Sequence, residues 1–247
     1  MKIKYLSNKP LEQWDDRERI ENVKYIFSNI VPYYDLMNRL LTVRRDVAWR
    51  RLTAKRISPQ AEYLLDVASG TGDLTIEFAR RAKKANIWGI DFSRRMLERG
   101  VMKVRRYGFD NRTAYLEGDA LELPFKDDMF DAAAMAFGLR NTPNKLQVLR
   151  EMRRVVKPGG EVLILEMTFP RNLRLRRFFI WYFNHVIPLL GRILAGNQAS
   201  YQYLPDSIQD FLQPEELTKL MAEAGLTNIK EFPLTGGITY LHEGIVV

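Results

Sequence analysis

Tyr63-Leu64-Leu65-Asp66-Val67-Ala68-Ser69-Gly70-Thr71-Gly72-Asp73 reads as a short buried strand, a glycine turn and the start of a helix. Leu64, Leu65 and Val67 are the apolar residues of a parallel strand covered on both faces. Gly70 and Gly72 carry no β-carbon, so the backbone can turn tightly there and come close to a bound molecule. From Asp73 onward, Leu74, Phe78, Ala79 and Ala82 share one helical face. A ligand at such a turn lies beyond the carboxyl end of a strand and beside a helix N-terminus.

The residues around the turn narrow the choice of ligand. Thr75 occupies the third glycine position of a dinucleotide fingerprint, and the Gly-Lys-Ser/Thr of a phosphate loop is absent. Acidic residues recur instead: Asp66 and Asp73 here, then Asp91 and Asp119 at the ends of the next two expected strands. Acids repel phosphate but suit a ligand with an amine, ribose hydroxyls and a positive centre. S-adenosyl-L-methionine has all three. The plain alternative is a tight strand-to-helix turn of any α/β protein.

On either side of the turn the chain alternates strand and helix at a period of about 25 residues, the pattern of a parallel sheet. Asn86 to Asp91 is the second strand, with Asp91 placed to grip both ribose hydroxyls. Phe92-Ser93 leads into a helix on which Met96 and Leu97 can reach an adenine. Thr113 to Ala120 is the third strand and its exit, where Asp119 and the Ala120 backbone can meet the adenine edge. As purely structural roles, Asp91 and Ser93 would cap a helix and Asp119 would close a turn. The alanine-rich fourth strand, Ala132 to Phe137, runs into Gly138-Leu139-Arg140-Asn141, an exit that faces the reacting group in this architecture. A helix over Leu146 to Val156 stops at Lys157-Pro158-Gly159-Gly160, and Val162 to Met167 is the fifth strand. Pro214 opens the last helix and Gly225 ends it, before two final strands near 228–234 and 238–246. Before the first strand, residues 1–20 read as a polar arm that Trp14 can pin. Residues 23–57 read as two or three capping helices broken at Pro32, with Tyr34 and Asn38 at a pocket edge.

With 247 residues the chain can bury a full core, and 46% hydrophobic with 28% charged residues is ordinary for a globular protein. There is no cysteine, which excludes disulfides, thiolate metal sites and cysteine nucleophiles, and there are two histidines, His185 and His242. No metal site is therefore expected. The N-terminus lacks the apolar run of a signal peptide, which points to the cytoplasm. The net charge of +8 favours anionic partners such as nucleic acid or a membrane surface. Arg171, Arg174, Arg176 and Arg177 concentrate part of that charge directly before Phe178 to Leu190. That run is too short, and too interrupted by Asn184, His185 and Pro188, to span a bilayer. A core helix, an interfacial helix and a lid over a greasy substrate all fit it. Ser200 to Ile208 then brings several hydroxyls, Tyr201 and Tyr203 among them, toward the active face.

Several segments are similar to the menaquinone/ubiquinone biosynthesis C-methyltransferase family, the demethylmenaquinone methyltransferases. One family signature is matched by Tyr34-Asp35-Leu36-Met37-Asn38 and Trp49, with Thr42 in place of serine and Asp46 in place of histidine. A second is matched from Arg154 to Gly160 and at Glu166-Met167-Thr168, with threonine again in place of serine. Phe137 to Asn141, Ser200 to Ile208 and Leu234 to Gly237 match further family segments, and the likeness runs from about Val23 to the C-terminus. A serine common before Phe137 in relatives is Ala136 here, so its hydrogen bond is missing.

The resemblance implies a single class I methyltransferase domain over 1–247. Its fold is α/β and Rossmann-like: a seven-stranded, mostly parallel sheet with a C-terminal antiparallel hairpin and helices on both faces. A helical cap (1–60) precedes the cofactor core (61–167); a helical insertion (168–210) and a terminal helix and hairpin (211–247) follow. It implies S-adenosyl-L-methionine as cofactor, held by Asp66, Ala68, Gly70, Thr71 and Gly72 from the turn. Asp91, Phe92, Met96, Asp119, Ala120 and Phe137 complete that set. A reduced prenylated quinol is the expected substrate, with Tyr34, Asn38, Tyr201 and Tyr203 binding it and Arg140, Asn141 and Tyr34 catalytic. Arg140 would stabilise the developing phenolate rather than act as a base, because arginine stays protonated. A membrane surface is expected as the route of substrate access, nucleic acid is not expected as a partner, and a homodimer is admitted. Methylation of another small molecule or of RNA, and a non-catalytic binding scaffold, are the competing readings.

Overall fold

The computed structural model describes residues 11–186 and 199–247. The Tyr201 side chain, the stretch 187–190 and the glycine-containing bend after it lie outside the described residues.

Strands β1 (Tyr63–Val67), β2 (Asn86–Asp91), β3 (Thr113–Glu117), β4 (Phe130–Ala136), β5 (Val156–Met167), β6 (Leu226–Leu234) and β7 (Thr239–Val246) form one sheet in the order β3-β2-β1-β4-β5-β7-β6. β1 to β5 pair in parallel, and β7 pairs antiparallel with both β5 and β6. Six strands of this sheet therefore share a direction, with β7 opposed. The chain winds from β1 out to β3, then crosses back to β4 on the other side of β1. That reversal opens a crevice at the carboxyl ends of β1 and β4, where ligands bind in open α/β sheets.

Helices α1 (Asp16–Ile30), α2 (Tyr34–Leu41) and α3 (Arg45–Arg56) precede the sheet. Next in chain order are α4 (Asp73–Arg81), α5 (Arg94–Arg106), α6 (Lys145–Val155), α7 (Leu173–Trp181), α8 (Ala199–Gln209) and α9 (Pro214–Glu223). The pleat of β4 explains its alanines. Ala132 and Ala134 face a core shared with Trp49, Leu64, Phe78 and Leu163. Ala133 and Met135 face the opposite core, shared with Leu65, Ile164 and the α6 residues Val148 and Leu149. Both faces of this central strand are covered, so no polar position interrupts its middle.

The structure changes two expectations. Residues 1–20 are not all a loose arm, because α1 starts at Asp16. Asp15 caps it by accepting from the Glu18 N–H at 2.8 Å, while the Glu18 carboxylate accepts from the Asp15 N–H at 3.3 Å. Trp14 is buried and stacks on Tyr203 with ring centroids 6.1 Å apart. The stretch Lys157 to Gly160 does end α6, but it already belongs to β5, since Phe130 of β4 registers with Val156. β3 runs from Thr113 to Glu117 with Gly118 to Ala120 as its exit, and the Gly118 N–H makes the last ladder bond to the Asp91 carbonyl at 3.1 Å.

Candidate active site

The turn after β1 and the exit from β4 lie against each other. A β-carbon on Gly138 would stand 2.8 Å from that of Ala68, so the two loops can meet only with glycine there. Gly72 has φ +78°, and a β-carbon on it would come within 2.2 Å of the Tyr115 hydroxyl. Ala68 (φ +53°) and Phe137 (φ +63°) hold left-handed backbone without being glycine. Such conformations cost about 1–3 kcal/mol each and cluster at ligand sites.

A cavity of about 910 Å³, mouth included, opens over these loops. Ala68, Gly70, Asp91 and Phe92 border it, and so do Met96, Asp119, Ala120 and Phe137. Asp66 and Thr71 border a smaller hollow of about 280 Å³ at the glycine turn, which shares Tyr34, Ala68, Gly70 and Ala136 with the first. Gly72 shapes the turn rather than these walls. Asp91 is fixed by backbone donors: Gly70 N–H to Oδ2 and Ser93 N–H to Oδ1, each 2.8 Å. Burial pushes its carboxyl up to about 6 against those two hydrogen bonds. Asp66, accepting from the Thr75 hydroxyl at 2.6 Å, is pushed up to about 7, again mainly by burial. Asp119 accepts from the Leu121 N–H at 2.9 Å, so its turn-closing role is realised at the cavity rim.

A second cavity, about 870 Å³, lies between the helical cap and the β4 exit, with Tyr34, Asn38, Asp46, Arg50, Arg140 and Tyr203 in its wall. Phe27, Tyr34 and Phe137 border both large cavities, so the two meet across an aromatic partition. Arg140 is buried and pairs through Nη1 with Glu166 and with the Phe137 carbonyl at 2.9 Å. The same glutamate accepts from the Arg140 backbone N–H at 3.2 Å. The Arg140 Nε has no partner among the described residues. Asn141 borders the first cavity, and its amide oxygen accepts from the Tyr203 hydroxyl at 2.8 Å. Burial raises the Tyr34 hydroxyl above its ordinary pKa, against Arg50, a hydrogen bond with Asn38, and Arg140.

Of the four acids read around the turn from the sequence, Asp73 is met by cations in three dimensions. Asp73 faces Lys103 Nζ at 2.5 Å, Arg39 at 2.7 Å and Arg50 at 4.0 Å. Burial would raise its carboxyl, but Arg50, Lys103 and Arg39 hold it well below the usual carboxylate range. Asp46 pairs with Arg39 and with Arg50 at 2.9 Å, and accepts from the Thr42 hydroxyl at 2.9 Å. Thr71 donates to Asp35 at 2.5 Å, and Asp35 also takes Lys103 at 2.9 Å. These cations come from α2, α3 and α5, which no local motif ties to the glycine turn.

Sequence reasoning also missed the contribution of α1. Ile20, Val23, Lys24 and Phe27 wall the first cavity. The spacing of Ile20, Val23 and Phe27, behind the Asp15–Glu18 capping box, is the signal that marks this helix. Among the described residues, no group of three or more His, Asp or Glu side chains is placed to hold a metal ion.

The fold is shared with solved methyltransferases. A Thermotoga maritima protein, described as an S-adenosylmethionine-dependent methyltransferase and possible histamine N-methyltransferase, superposes with a TM-score of 0.62 at 21% identity, covering 90% of this chain and 98% of that one. A Haemonchus contortus phosphoethanolamine N-methyltransferase solved with S-adenosyl-L-methionine superposes with a TM-score of 0.59 at 16% identity, over 79% of this chain and 52% of that one. Among curated proteins, the demethylmenaquinone methyltransferase of Bacillus subtilis is 41% identical over 226 residues, 91% of this chain and 97% of the relative. The ubiquinone/menaquinone biosynthesis C-methyltransferase UbiE of Geotalea uraniireducens is 38% identical over 229 residues, 92% of this chain and 97% of the relative. The model of the ubiE/COQ5 methyltransferase family matches residues 14–246. This chain belongs to the ubiE/COQ5 methyltransferase family.

Proposed function

We propose that the chain transfers a methyl group from S-adenosyl-L-methionine to a ring carbon of a reduced prenylated quinol, converting demethylmenaquinol to menaquinol. The observation that carries this reading is the pair of cavities meeting at Phe27, Tyr34 and Phe137. The first carries Asp91 and Asp119 in its wall, and the second joins Arg140, Arg50 and Asn38 to apolar side chains such as Ile26, Ile30, Met37 and Leu41. The partition between them is where two reactants would touch. When bound, S-adenosyl-L-methionine supplies an electrophilic methyl group. Asp91 would accept the ribose hydroxyls, Phe92 and Met96 would cover the adenine, and Asp119 with Ala120 would meet its edge. Gly70 would let the backbone approach, with Ala68, Thr71 and the buried Asp66 shaping the hollow for the methionine portion.

On the quinol side, Asn38 and Tyr34 would orient the ring, and Tyr203, anchored by Asn141, would close the pocket. Arg140 is held by Glu166 with its Nε still lacking a partner, so that N–H is the donor we assign to the quinol oxygen. Loss of the hydroxyl proton to water would push electron density to the adjacent ring carbon, with the charge on the oxygen stabilised by Arg140. The new carbon–carbon bond would form as the methyl–sulfur bond breaks to leave S-adenosylhomocysteine. The ring proton at that carbon would then pass to water to restore the aromatic ring. No covalent enzyme intermediate is needed; positioning in a water-poor pocket supplies the rest.

The prenyl tail would enter from a lipid surface. Tyr182, just past α7, donates to the Leu41 carbonyl at 3.3 Å, which sets α7 beside the mouth of the second cavity. Leu36 and Leu40 on α2, Val43 just after it, and Leu173 and Trp181 on α7 are exposed, with Arg174 and Arg177 also on α7. Among the described residues no helix is long and apolar enough to cross a membrane. Peripheral docking at the inner face of the membrane fits this rim. The test is methyl transfer from labelled S-adenosyl-L-methionine with reduced demethylmenaquinone and a demethylated ubiquinone precursor offered separately in lipid. Label on the naphthoquinol supports the reading, and binding of the cofactor with label on neither quinol overturns the substrate.

A further inference from the structure

Four cations surround the glycine turn, and they are not equivalent. Lys103 is committed to Asp73 at 2.5 Å and Asp35 at 2.9 Å, Arg39 to Asp46 and to Asp73 at 2.7 Å, and Arg99 approaches Asp35 at 3.6 Å. Of the four, Arg50 is the one that borders both the hollow under the turn and the second cavity. It is 5% exposed. Its Nη1 donates to Asp46 Oδ2 at 2.9 Å, and the guanidinium lies 4.9 Å from the Phe137 ring centroid, in the partition between the cavities. Asp46, itself fixed by the Thr42 hydroxyl and Arg39, takes the guanidinium through Nη1, which also lies 4.0 Å from Asp73 Oδ2.

We propose that Arg50 binds the α-carboxylate of S-adenosyl-L-methionine and that Asp46 positions it to do so. The hollow shares Tyr34, Ala68, Gly70 and Ala136 with the first cavity, so on the proposed orientation the amino-acid portion would lie there. A carboxylate entering it meets the ionised Asp73 and the buried Asp66, and needs a cation to offset them. Arginine fits that task better than lysine, since its planar fork can hold a carboxylate through two parallel hydrogen bonds. This inference rests on the cofactor orientation proposed above, with adenosine at Asp91 and the methionine portion under the turn.

The test compares two ligands by calorimetry on the full chain. S-adenosylhomocysteine carries the amino-acid portion, and 5′-methylthioadenosine lacks it. Arg50→Gln is expected to weaken S-adenosylhomocysteine about tenfold or more while 5′-methylthioadenosine stays within about twofold of wild type. Retained methylthioadenosine binding also reports that the site is folded. If Arg50→Gln does not fold, Arg50→Lys keeps the charge opposite Asp46 and should show the same selective loss in smaller measure. Asp46→Asn is expected to lose S-adenosylhomocysteine affinity selectively too. Parallel loss of both ligands in the Arg50 variants, or no change in either, overturns the proposal. Asp91→Asn should weaken both ligands alike, and if it leaves methylthioadenosine untouched the assumed orientation is what has failed.

Discussion

Arg140 carries most of the proposed chemistry, and its environment sets what its replacement should do. Arg140→Ala strands the buried Glu166 carboxylate, a kind of change that costs about 3–5 kcal/mol, so stability and catalysis would fall together. Arg140→Lys keeps a cation beside Glu166 but lacks the Nε–H, which separates the two. Turnover of that variant should drop about 100-fold or more with S-adenosylhomocysteine affinity within about twofold of wild type. Steady-state kinetics and calorimetry check it, and equal loss of cofactor binding would count against the role. Asp91 makes a pH prediction. Burial pushes its carboxyl up to about 6, and in the proposed role it would accept both ribose hydroxyls best when ionised. Cofactor affinity should fall by up to about tenfold per pH unit below that value, and Asp91→Asn should abolish the slope.

At the scale of elements, α1 and the glycine turn are the parts whose loss should spread furthest. Asp15→Ala removes the capping box and should cost about 1 kcal/mol in denaturant unfolding. Because Ile20, Val23 and Phe27 wall the first cavity, where the cofactor is proposed to bind, a frayed α1 should also weaken S-adenosylhomocysteine binding. Gly72→Ala combines a left-handed backbone with a clash against Tyr115, so it should destabilise by about 1 kcal/mol or more and lower cofactor affinity. Thermal shift with and without ligand separates the two effects.

The whole molecule feels the buried acids as a pH-dependent stability. Asp66 and Asp91 have folded-state values of about 7 and about 6 against 3.8 when unfolded. The folded chain therefore holds protons that the unfolded chain has released. Their contribution is present at low pH and is lost as pH rises from about 4 to about 7. Asp73 works the other way, stabilising at neutral pH and losing its contribution as pH falls below its unfolded value of 3.8. Ligand-free Asp66→Asn should thus lose less stability than wild type between about pH 5 and about pH 7, measured by urea unfolding. At the same scale, Arg174→Glu with Arg177→Glu should weaken binding to anionic vesicles at low salt and leave methylation of a short-tailed quinol near wild type.

The alternation of strands and helices, the glycine turn, Asp91 and the ends of β2 and β4 were all legible from local pattern. Each depends on neighbours within a few residues: strand apolarity, a turn that needs glycine, an acid at a strand end. The family segments, read residue by residue, placed Tyr34, Asn38, Arg140 and Tyr203 together, and the second cavity gathers them. What sequence pattern misjudged was charge. It counted acids near Gly70 in the chain, whereas Arg39, Arg50 and Lys103 reach Asp73 from separate helices. Coulomb interaction depends on distance in space, and only the packing of α2, α3 and α5 around the turn brings those charges within range. The same holds for the aromatic partition, since Phe27, Tyr34 and Phe137 come from three segments that only the closed fold makes neighbours.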